Sequence, residues 1–292
     1  SMAVTAAMVK QLRDASGAGM MDAKKALIEA KGDMESAVDW LRTKGLAKAA
    51  KKSERTAAEG LVCVNVNETG AVAVEVNSET DFVAKNSEFQ DLVSAVAGVA
   101  MHCETIDELI AAKIDGKVVK TLVSEKISTI GENISVRRLE KLKGTNIFSY
   151  VHNSAADQMG KIGVLVSLSK NETELGRQIA MHIAATNPAS LSENDLNIEL
   201  IEREKSIFSE QAKESGKPEN IIENIIKGRM KKYFEEVTLL NQKFVMNPDI
   251  TVRQAAESAG VEVLDFVRLE VGEGIDKQEE DFAAEVEKTI NG

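Results

Sequence analysis

The chain contains the same strand-and-helix pattern twice. Residues 70–76 read GAVAVEV and residues 160–166 read GKIGVLV, and both apolar patterns predict a β-strand. After each strand, apolar residues recur at helical spacing, which predicts an amphipathic helix. We therefore predict a core of two equivalent halves, each with an antiparallel sheet and a helix. The equivalent apolar helix positions are Phe89, Val93 and Ala97 in the first copy and Leu175, Ile179 and Ile183 in the second.

The two copies differ in length where the strand leads into the helix. Gly70 and Phe89 are 19 positions apart, whereas Gly160 and Leu175 are 15 positions apart, so the first junction has four extra residues. Connections of this kind often carry the functional residues of a protein, because the elements on either side hold them in place. The longer junction, residues 77–86, reads NSETDFVAKN.

Phe82 in this junction has two interpretations. The ring could fold back as a hydrophobic staple onto the following helix, whose N-cap is Asn86 or Ser87. Alternatively, Thr80 caps one helical turn and holds Asp81 and Phe82 outward together, so that this tip can enter a partner. Buried aromatic rings are the commoner case, and the pattern leaves both interpretations open.

The charge of the chain limits the class of partner. There are 36 Lys and Arg residues against 47 Asp and Glu residues, which gives a net charge of −11. Nucleic-acid binding needs a clustered positive surface that neutralises phosphates. We therefore expect no direct contact with nucleic acid and favour a protein or a cationic partner.

The cysteines and the hydropathy pattern indicate the compartment. Cys63 and Cys103 have no second pair and no histidine at metal-ligand spacing, so we expect free thiols in a reducing cytosol. No apolar run is as long as a membrane span, and the N-terminus lacks the pattern of a secretory signal. The sequence thus predicts a cytoplasmic protein that does not contact a membrane.

No group of residues has a pattern typical of catalysis. Glu79 and Asp81 are paired acids, but residues two apart on an extended segment face opposite sides. The sequence contains no phosphate loop, dinucleotide fingerprint or zinc-ligand spacing. His182, alone on an apolar helix face, is expected to be a packed core residue. We therefore predict that the chain is not an enzyme and holds no cofactor or metal.

Residues 3–45 contain three short helical patterns separated by glycines, which predicts a three-helix module. A lysine- and alanine-rich stretch follows and predicts a solvated helical linker, so that the first domain covers 3–55. Met20 and Met21 lie in the first tight turn of the module. They either fill gaps in its thin core or stay partly exposed.

The rest of the chain divides into a two-part core, an inserted helical hairpin and a C-terminal helical module. The hairpin has more isoleucines than two helices can enclose, so it must bury some on another surface. After the hairpin, the pattern predicts a return to sheet from Val237 to Val245. The predicted bounds are 56–144 for the first half of the core, 145–190 and 235–272 for the second, 191–234 for the hairpin and 273–292 for the terminal module.

Two segments resemble the signatures of a known family. Residues 76–85 (VNSETDFVAK) and 12–27 (LRDASGAGMMDAKKAL) resemble those of the bacterial elongation factor Ts family, and the similarity covers essentially the whole chain from Ala3. Members of this family exchange guanine nucleotides on elongation factor Tu. The resemblance implies an α+β protein that binds GDP-bound or nucleotide-free elongation factor Tu, dislodges its Mg²⁺ and promotes exchange of GDP for GTP.

The resemblance also implies where the partner is contacted. An N-terminal domain like a ubiquitin-associated domain docks on the nucleotide-binding domain of the partner, and the helical hairpin pairs two copies in some members. The terminal module leans on the partner. The implied contact residues are Thr80, Asp81, Phe82 and Val83 for displacement of Mg²⁺, Arg13, Met20 and Met21 in the N-terminal domain, and His152, Val245 and Met246 toward the other domains of the partner.

The sequence departs from the family pattern at two places. Ser16 stands where the first signature usually has threonine, which keeps a hydroxyl group. Residues 153–159 replace a short glycine-rich turn directly after His152. Alternatives to an exchange factor are a helical-hairpin scaffold or adaptor without nucleotide-linked function and, more distantly, a metal-independent hydrolase.

Overall fold

The N-terminal part is a three-helix module with its own core. The computed structural model describes residues 3–16 and 18–276. Its first helices are α1 (Ala6–Ser16), α2 (Met20–Glu29) and α3 (Met34–Lys52). Their buried apolar residues form one cluster, which consists of Leu12, Ala23, Ala26, Leu27 and Ala37.

The first half of the core consists of a β-hairpin, several helices and a third strand. β5 pairs with β2 on the side opposite β1, and both pairings are antiparallel. Val72, Val74 and Val76 are buried together with Phe89 and Val93, as the alternation and the helical spacing predict. The elements are β1 (Glu59–Val66), β2 (Gly70–Ser78), α4 (Asp81–Ala84), α5 (Ser87–Ala100), α6 (Ile106–Ala111), β3 (Lys113–Ile114), β4 (Lys117–Val118), α7 (Val119–Ile130) and β5 (Ser135–Lys143).

The second half has the same plan with a helical hairpin inserted. β7 pairs with β6 and β10, both antiparallel, and Val164 and Val166 are buried together with Ile179 and Ile183. The elements are β6 (Ile147–Ala156), β7 (Met159–Leu168), α8 (Thr173–Thr186), α9 (Ile198–Glu214), α10 (Glu219–Val237), β8 (Lys243–Phe244), β9 (Asn247–Thr251), α11 (Val252–Ser258) and β10 (Val263–Glu270).

The two halves join in one six-stranded sheet. Its order is β10-β7-β1-β2-β5, and β6 also pairs with β7. Helix α5 packs on β1 and β2, and α8 packs on β6 and β7. Side chains from both halves form a third apolar cluster, so the two parts of the sheet share an interior. Mixed helix and antiparallel sheet confirm the predicted α+β class. The third cluster contains Val62, Val64, Ala71, Ala73, Leu142, Ile147, Leu165, Val267 and Leu269.

The difference between the two junctions is visible in the fold. β2 ends at Ser78 and α5 begins at Ser87, which leaves eight residues between them. β7 ends at Leu168 and α8 begins at Thr173, which leaves four residues. The extra length in the first half forms α4.

A charged side chain lies inside the core. Glu75 on β2 is fully buried, and its carboxylate accepts hydrogen bonds from Arg137 (2.9 Å), Arg138 (2.6 Å), the Asn77 amide (3.0 Å) and the Gly272 N–H (2.7 Å). Burial raises the pKa of the Glu75 carboxyl, but the bonds from Arg138, Gly272 and Asn77 outweigh it and hold the pKa below its ordinary value. Glu75 therefore links β2, β5 and the segment after β10.

The predicted solvated linker is largely a continuation of α3. This helix packs on α7, and Ala49 is buried in the core of the first half. The Lys52 ammonium donates to the Gly131 carbonyl at the end of α7, at 2.7 Å. An alanine-rich stretch can bury one helix face while a lysine such as Lys51 stays exposed, which explains the difference from the prediction.

The predicted return to sheet from Val237 to Val245 is wrong except at β8. α10 continues to Val237, a 3₁₀ turn follows at Leu239–Asn241, and β8 has only two residues. The Leu239 N–H donates to the Ser190 carbonyl (2.8 Å), and the Leu239 side chain is fully buried in the second core. The apolar residues of this segment thus fill a core without alternating along a strand.

The last elements end close to the Glu75 network. Arg138 donates to the Glu273 carboxylate at 3.2 Å, and Arg137 donates to the Glu273 carbonyl. Most of the predicted terminal module, 277–292, lies outside the described residues. Within the described chain, no helix combines the length and the apolar character needed to cross a membrane.

Candidate functional site

The longer junction forms a single helical turn between β2 and α5. The Lys85 N–H donates to the Phe82 carbonyl (3.1 Å), and the Asn86 N–H donates to the Val83 carbonyl (2.9 Å). The Asn86 side chain then caps α5, as predicted. Val83 and Ala84 are buried in the core of the first half. The turn is therefore anchored by its second half and exposes its first half.

Phe82 lies on the exposed side of this turn. Its side chain is 83% exposed, so it is not the hydrophobic staple that one interpretation of the sequence required. Val83 takes the inward position instead. An exposed large apolar residue is common on protein surfaces and is not by itself a site. The contacts of the neighbouring residues Thr80, Asp81 and Val83, however, hold the backbone that carries this ring.

Thr80 occupies the N-cap position of α4, but its side chain does not cap the turn as predicted. The Thr80 hydroxyl donates to Glu132 Oε2 at 2.7 Å, and no side-chain hydrogen bond caps the turn. The N–H groups of Glu79 and Thr80 both donate to Glu132 Oε1, at 3.0 and 2.9 Å. A hydrogen bond to a charged acceptor is stronger than one between neutral groups, so the Glu132 carboxylate sets the orientation of the Thr80 hydroxyl. Sequence reasoning missed Glu132, because nothing local connects it to the junction.

Asp81 pairs with a residue of the other half of the core. Its carboxylate contacts the ammonium of Lys161 on β7, which also donates to the Gly60 carbonyl at 2.9 Å. The hydrogen bond from Lys161 lowers the pKa of Asp81, so the carboxylate is charged at neutral pH. Asp81 and Phe82 therefore form an exposed acid-and-ring tip, which we call the tip below. Lys161 was also missed by sequence reasoning.

The other predicted contact residues lie on separate elements. Asn153 and Gln158 have positive φ angles of 51° and 60° in the hairpin beyond His152. His152 is exposed, and its Nδ1 lies 3.0 Å from the Tyr150 hydroxyl. The exposed residues are Arg13 on α1, Met20 and Met21 on α2, His152 on β6, and Val245 and Met246 between β8 and β9.

His182 is a packed core residue, as the sequence predicts, and it supports the connection between β8 and β9. Its Nδ1 accepts from the Val245 N–H (3.1 Å), so its Nε2 carries the proton and donates to Gln242 Oε1 (2.8 Å). The Thr186 hydroxyl donates to the same oxygen at 3.0 Å. Burial lowers the pKa of His182, so the neutral ring is the form that the fold contains.

We expect His182 to make the protein less stable in mild acid. The unfolded chain takes up a proton below the ordinary pKa of 6.5, while the folded ring stays neutral. Stability is therefore complete above pH 6.5 and falls below it, by at most about 1.4 kcal/mol per pH unit. Urea midpoints of the parent and His182→Gln between pH 5.5 and pH 7.5 measure this change.

The same series separates His182 from the other ionisable groups. His182→Gln should show a smaller loss of stability toward pH 5.5 than the parent does. His102→Gln, which changes an exposed side chain, should keep the parental dependence. Equal pH dependence in the parent and His182→Gln would contradict the assignment.

Metal ligands and thiols are the groups of the described residues whose geometry and pKa bear on metal and cysteine chemistry. No cluster of three or more His, Cys, Asp or Glu there has the geometry of a metal site. Burial, followed by the charge of Asp157, raises the pKa of Cys63 to about 11, and burial also raises the pKa of Cys103. Both thiols are therefore poor nucleophiles at neutral pH.

Comparison with known proteins assigns the chain to a family. The family model described as Elongation factor TS matches residues 79–273. Proteins named Elongation factor Ts from Dinoroseobacter shibae and Paracoccus denitrificans are both 64% identical to the chain, over 291 and 295 residues. The protein of that name from Ruegeria sp. (strain TM1040) is 62% identical over 291 residues. In each case the similarity covers 100% of both chains. The chain therefore belongs to the elongation factor Ts family.

Proposed function

We propose that the chain is the guanine-nucleotide exchange factor for elongation factor Tu in cytoplasmic protein synthesis. It binds the GDP-bound partner, dislodges Mg²⁺ and promotes the replacement of GDP by GTP. The observation that supports this function best is that the exposed tip lies on an anchored turn, α4. This turn lies within residues 76–85, which resemble the family signature.

Exchange requires that the factor and the nucleotide weaken each other's binding to the partner. The factor must bind empty elongation factor Tu more tightly than the GDP-bound form, and by reciprocity GDP then expels the factor. Lowering the nucleotide affinity by about four decades needs a coupling free energy of about 5.5 kcal/mol. One contact does not supply so much, so several surfaces must contribute.

The tip supplies two different contributions. Burying the exposed Phe82 ring in the partner contributes about 1.5 to 3 kcal/mol. The charged Asp81 carboxylate meets the polar groups that hold the hydration shell of the partner's Mg²⁺. Loss of this ion removes the main counter-charge of the GDP phosphates, which promotes GDP release. Thr80 and Val83, which the resemblance also implies as partner contacts, flank the tip and hold it, by a hydrogen bond to Glu132 and by burial in the core.

Other surfaces complete the contact. Residues 3–55 form a domain like a ubiquitin-associated domain, which docks on the nucleotide-binding domain of the partner through Arg13, Met20 and Met21. His152, Val245 and Met246 contact the other domains. Their exposure makes all of these side chains available for binding. The other units are the core halves 56–144 and 145–190 with 235–272, and the terminal module 273–292.

The helical hairpin, 191–234, is the surface that we propose for pairing of two copies. Ile198, Ile207 and Ile221 on α9 and α10 are exposed large apolar residues there. A molar mass equal to one chain at high concentration, measured by light scattering, would exclude this pairing. The exchange function does not depend on it.

Release of a fluorescent GDP analogue from elongation factor Tu tests the proposed function. The chain should accelerate release when present in substoichiometric amounts, since each molecule acts repeatedly. In a co-purification, added GDP should dissociate the complex, as reciprocity requires. A scaffold or adaptor would bind without changing the release rate, so an unchanged rate would overturn the proposal.

A further inference from the structure

We propose that Glu132 is a positioning residue for nucleotide exchange, because it fixes the backbone from which the tip projects. This inference rests on the proposed function and adds to it a residue outside the family signature. Glu132 lies between α7 and β5 and does not belong to the exposed tip itself.

Glu132 accepts three hydrogen bonds from two consecutive residues. Its Oε1 accepts the N–H groups of Glu79 (3.0 Å) and Thr80 (2.9 Å), and its Oε2 accepts the Thr80 hydroxyl (2.7 Å). In return, the Glu79 carboxylate accepts the N–H of Asn133 at 2.8 Å. In each of the segments 79–80 and 132–133, a glutamate carboxylate accepts backbone N–H groups of the other segment. The two segments therefore hold each other in place.

The turn needs this support because it is too short to be stable alone. α4 has four residues, and an isolated helical turn fixes several backbone angles for very few hydrogen bonds. Its C-terminal side is fixed by the burial of Val83 and Ala84. On the N-terminal side, Glu132 holds the peptide groups directly before Asp81. Together these anchors fix the direction in which the Phe82 ring projects.

Loss of Glu132 should therefore reduce exchange without removing any group that touches the partner. The tip would sample more conformations in the free protein, and binding would have to order it again. Misplacement of a reacting or binding group by about 1 Å can cost about 100-fold in rate. Because Val83 still anchors the other side, we expect a smaller loss, about tenfold, in the stimulated release of GDP.

A purely structural role for Glu132 predicts a different result. In that case Glu132→Ala would lower the unfolding temperature, but the molecules that remain folded would exchange nucleotide normally. Glu88 provides a matched control, because its carboxylate also ties a helix of this half to α7, through Lys126 (3.1 Å) and Thr129 (2.9 Å). Glu88→Ala removes this link and leaves the tip intact.

Conservative variants separate the hydrogen bonds from the charge. In Glu132→Gln, the amide oxygen can accept both N–H groups and the amide nitrogen can donate to the Thr80 hydroxyl oxygen. This variant should exchange within about twofold of the parent. Glu132→Asp keeps the charge but withdraws the carboxylate by one methylene, so it should resemble Glu132→Ala. It also tests the proposal if the alanine variant does not fold.

The decisive experiment combines Glu132→Ala with Phe82→Ala and measures the stimulated release of fluorescent GDP from elongation factor Tu. A residue that acts through the tip should lose most of its effect once the ring is absent, since only Asp81 is then left to position, whereas independent effects multiply. We expect Glu132→Ala alone to lose about tenfold. We expect the double variant to lose less than about threefold relative to Phe82→Ala, and Glu88→Ala to match the parent within about twofold.

Two outcomes would overturn the role of Glu132. One is parental exchange by both Glu132→Ala and Glu132→Asp. The other is a further loss in the double variant as large as in the single one. Failure of the proposed function is distinguishable, since the parent itself would then not accelerate GDP release.

Discussion

Replacing both Asp81 and Phe82 with alanine should reduce the stimulated release of GDP from elongation factor Tu on the order of 100-fold. Loss of the Phe82 ring alone removes about 1.5 to 3 kcal/mol of contact free energy, and each 1.4 kcal/mol is a factor of ten. Loss of the Asp81 carboxylate adds to this, because the charge beside the partner's Mg²⁺ disappears. Stopped-flow release of a fluorescent GDP analogue measures the effect.

The fold should not change in this double variant. Phe82 is exposed and the Asp81–Lys161 pair is at the surface, where ion pairs contribute little to stability. The unfolding temperature should therefore stay near that of the parent. Leu264→Ala, which removes another exposed apolar side chain on β10, is the matched control and should exchange normally. Parental GDP release by the folded double variant would show that the tip is not the exchange element.

Replacing Glu75 with glutamine should destabilise the fold by about 3 kcal/mol. Removing one partner of a buried ion pair typically costs about 3 to 5 kcal/mol, because the remaining charge stays without compensation. We expect the lower end, since the side chains of Arg137 and Arg138 are 26% and 25% exposed. The unfolding temperature should fall by about 6 to 12 °C. Thermal melting and chemical-denaturation midpoints measure the change.

A neighbouring acid provides the comparison for Glu75. Glu140 on β5 is exposed, and Glu140→Gln should change stability by less than about 0.5 kcal/mol. The contribution of Glu75 should also depend on pH. Its folded pKa lies below the ordinary 4.5, so the contribution is complete above that pH and is lost as the pH falls through the folded pKa. If Glu75→Gln unfolds at the parental midpoint, the carboxylate does not stabilise the fold as we infer.

Local periodicity allowed the core elements to be predicted from the sequence. The alternation of Val72, Val74 and Val76 indicates a strand whose face is buried, and the helix covering that face has its own repeat. Comparison of the two copies located the extra turn as well, because an insertion changes the spacing between equivalent positions. These features depend on neighbours in the chain, so sequence alone can reveal them.

The support of the tip could not be predicted in this way. Glu132 lies 52 positions after Thr80, and Lys161 belongs to the other half of the core. Such partners meet only in the folded protein and leave no periodic pattern. The Thr80 cap is wrong for this reason, since the hydroxyl is oriented by its strong hydrogen bond to a distant carboxylate and does not cap the turn.

The burial of Glu75 could not be predicted either. A polar residue that alternates with valines normally faces solvent. Here both faces of β2 are buried, because side chains from the two halves of the core form a shared cluster. The face of β2 that alternation predicts to be exposed to solvent is thus buried. Glu75 lies on this face and therefore needs its arginine partners.

The hydrogen bond between Glu75 and Gly272 has a consequence for how the protein is made. It joins positions 197 apart in the sequence, so the ribosome delivers the acid long before it delivers the final amide donor. The three-helix module can assemble early, since its core residues all precede residue 42. The Glu75 carboxylate instead lacks part of its hydrogen-bond network until Gly272, which follows β10, has been synthesised. The nascent sheet is thus completed only after residue 272 has been added by translation, the process that the finished protein serves.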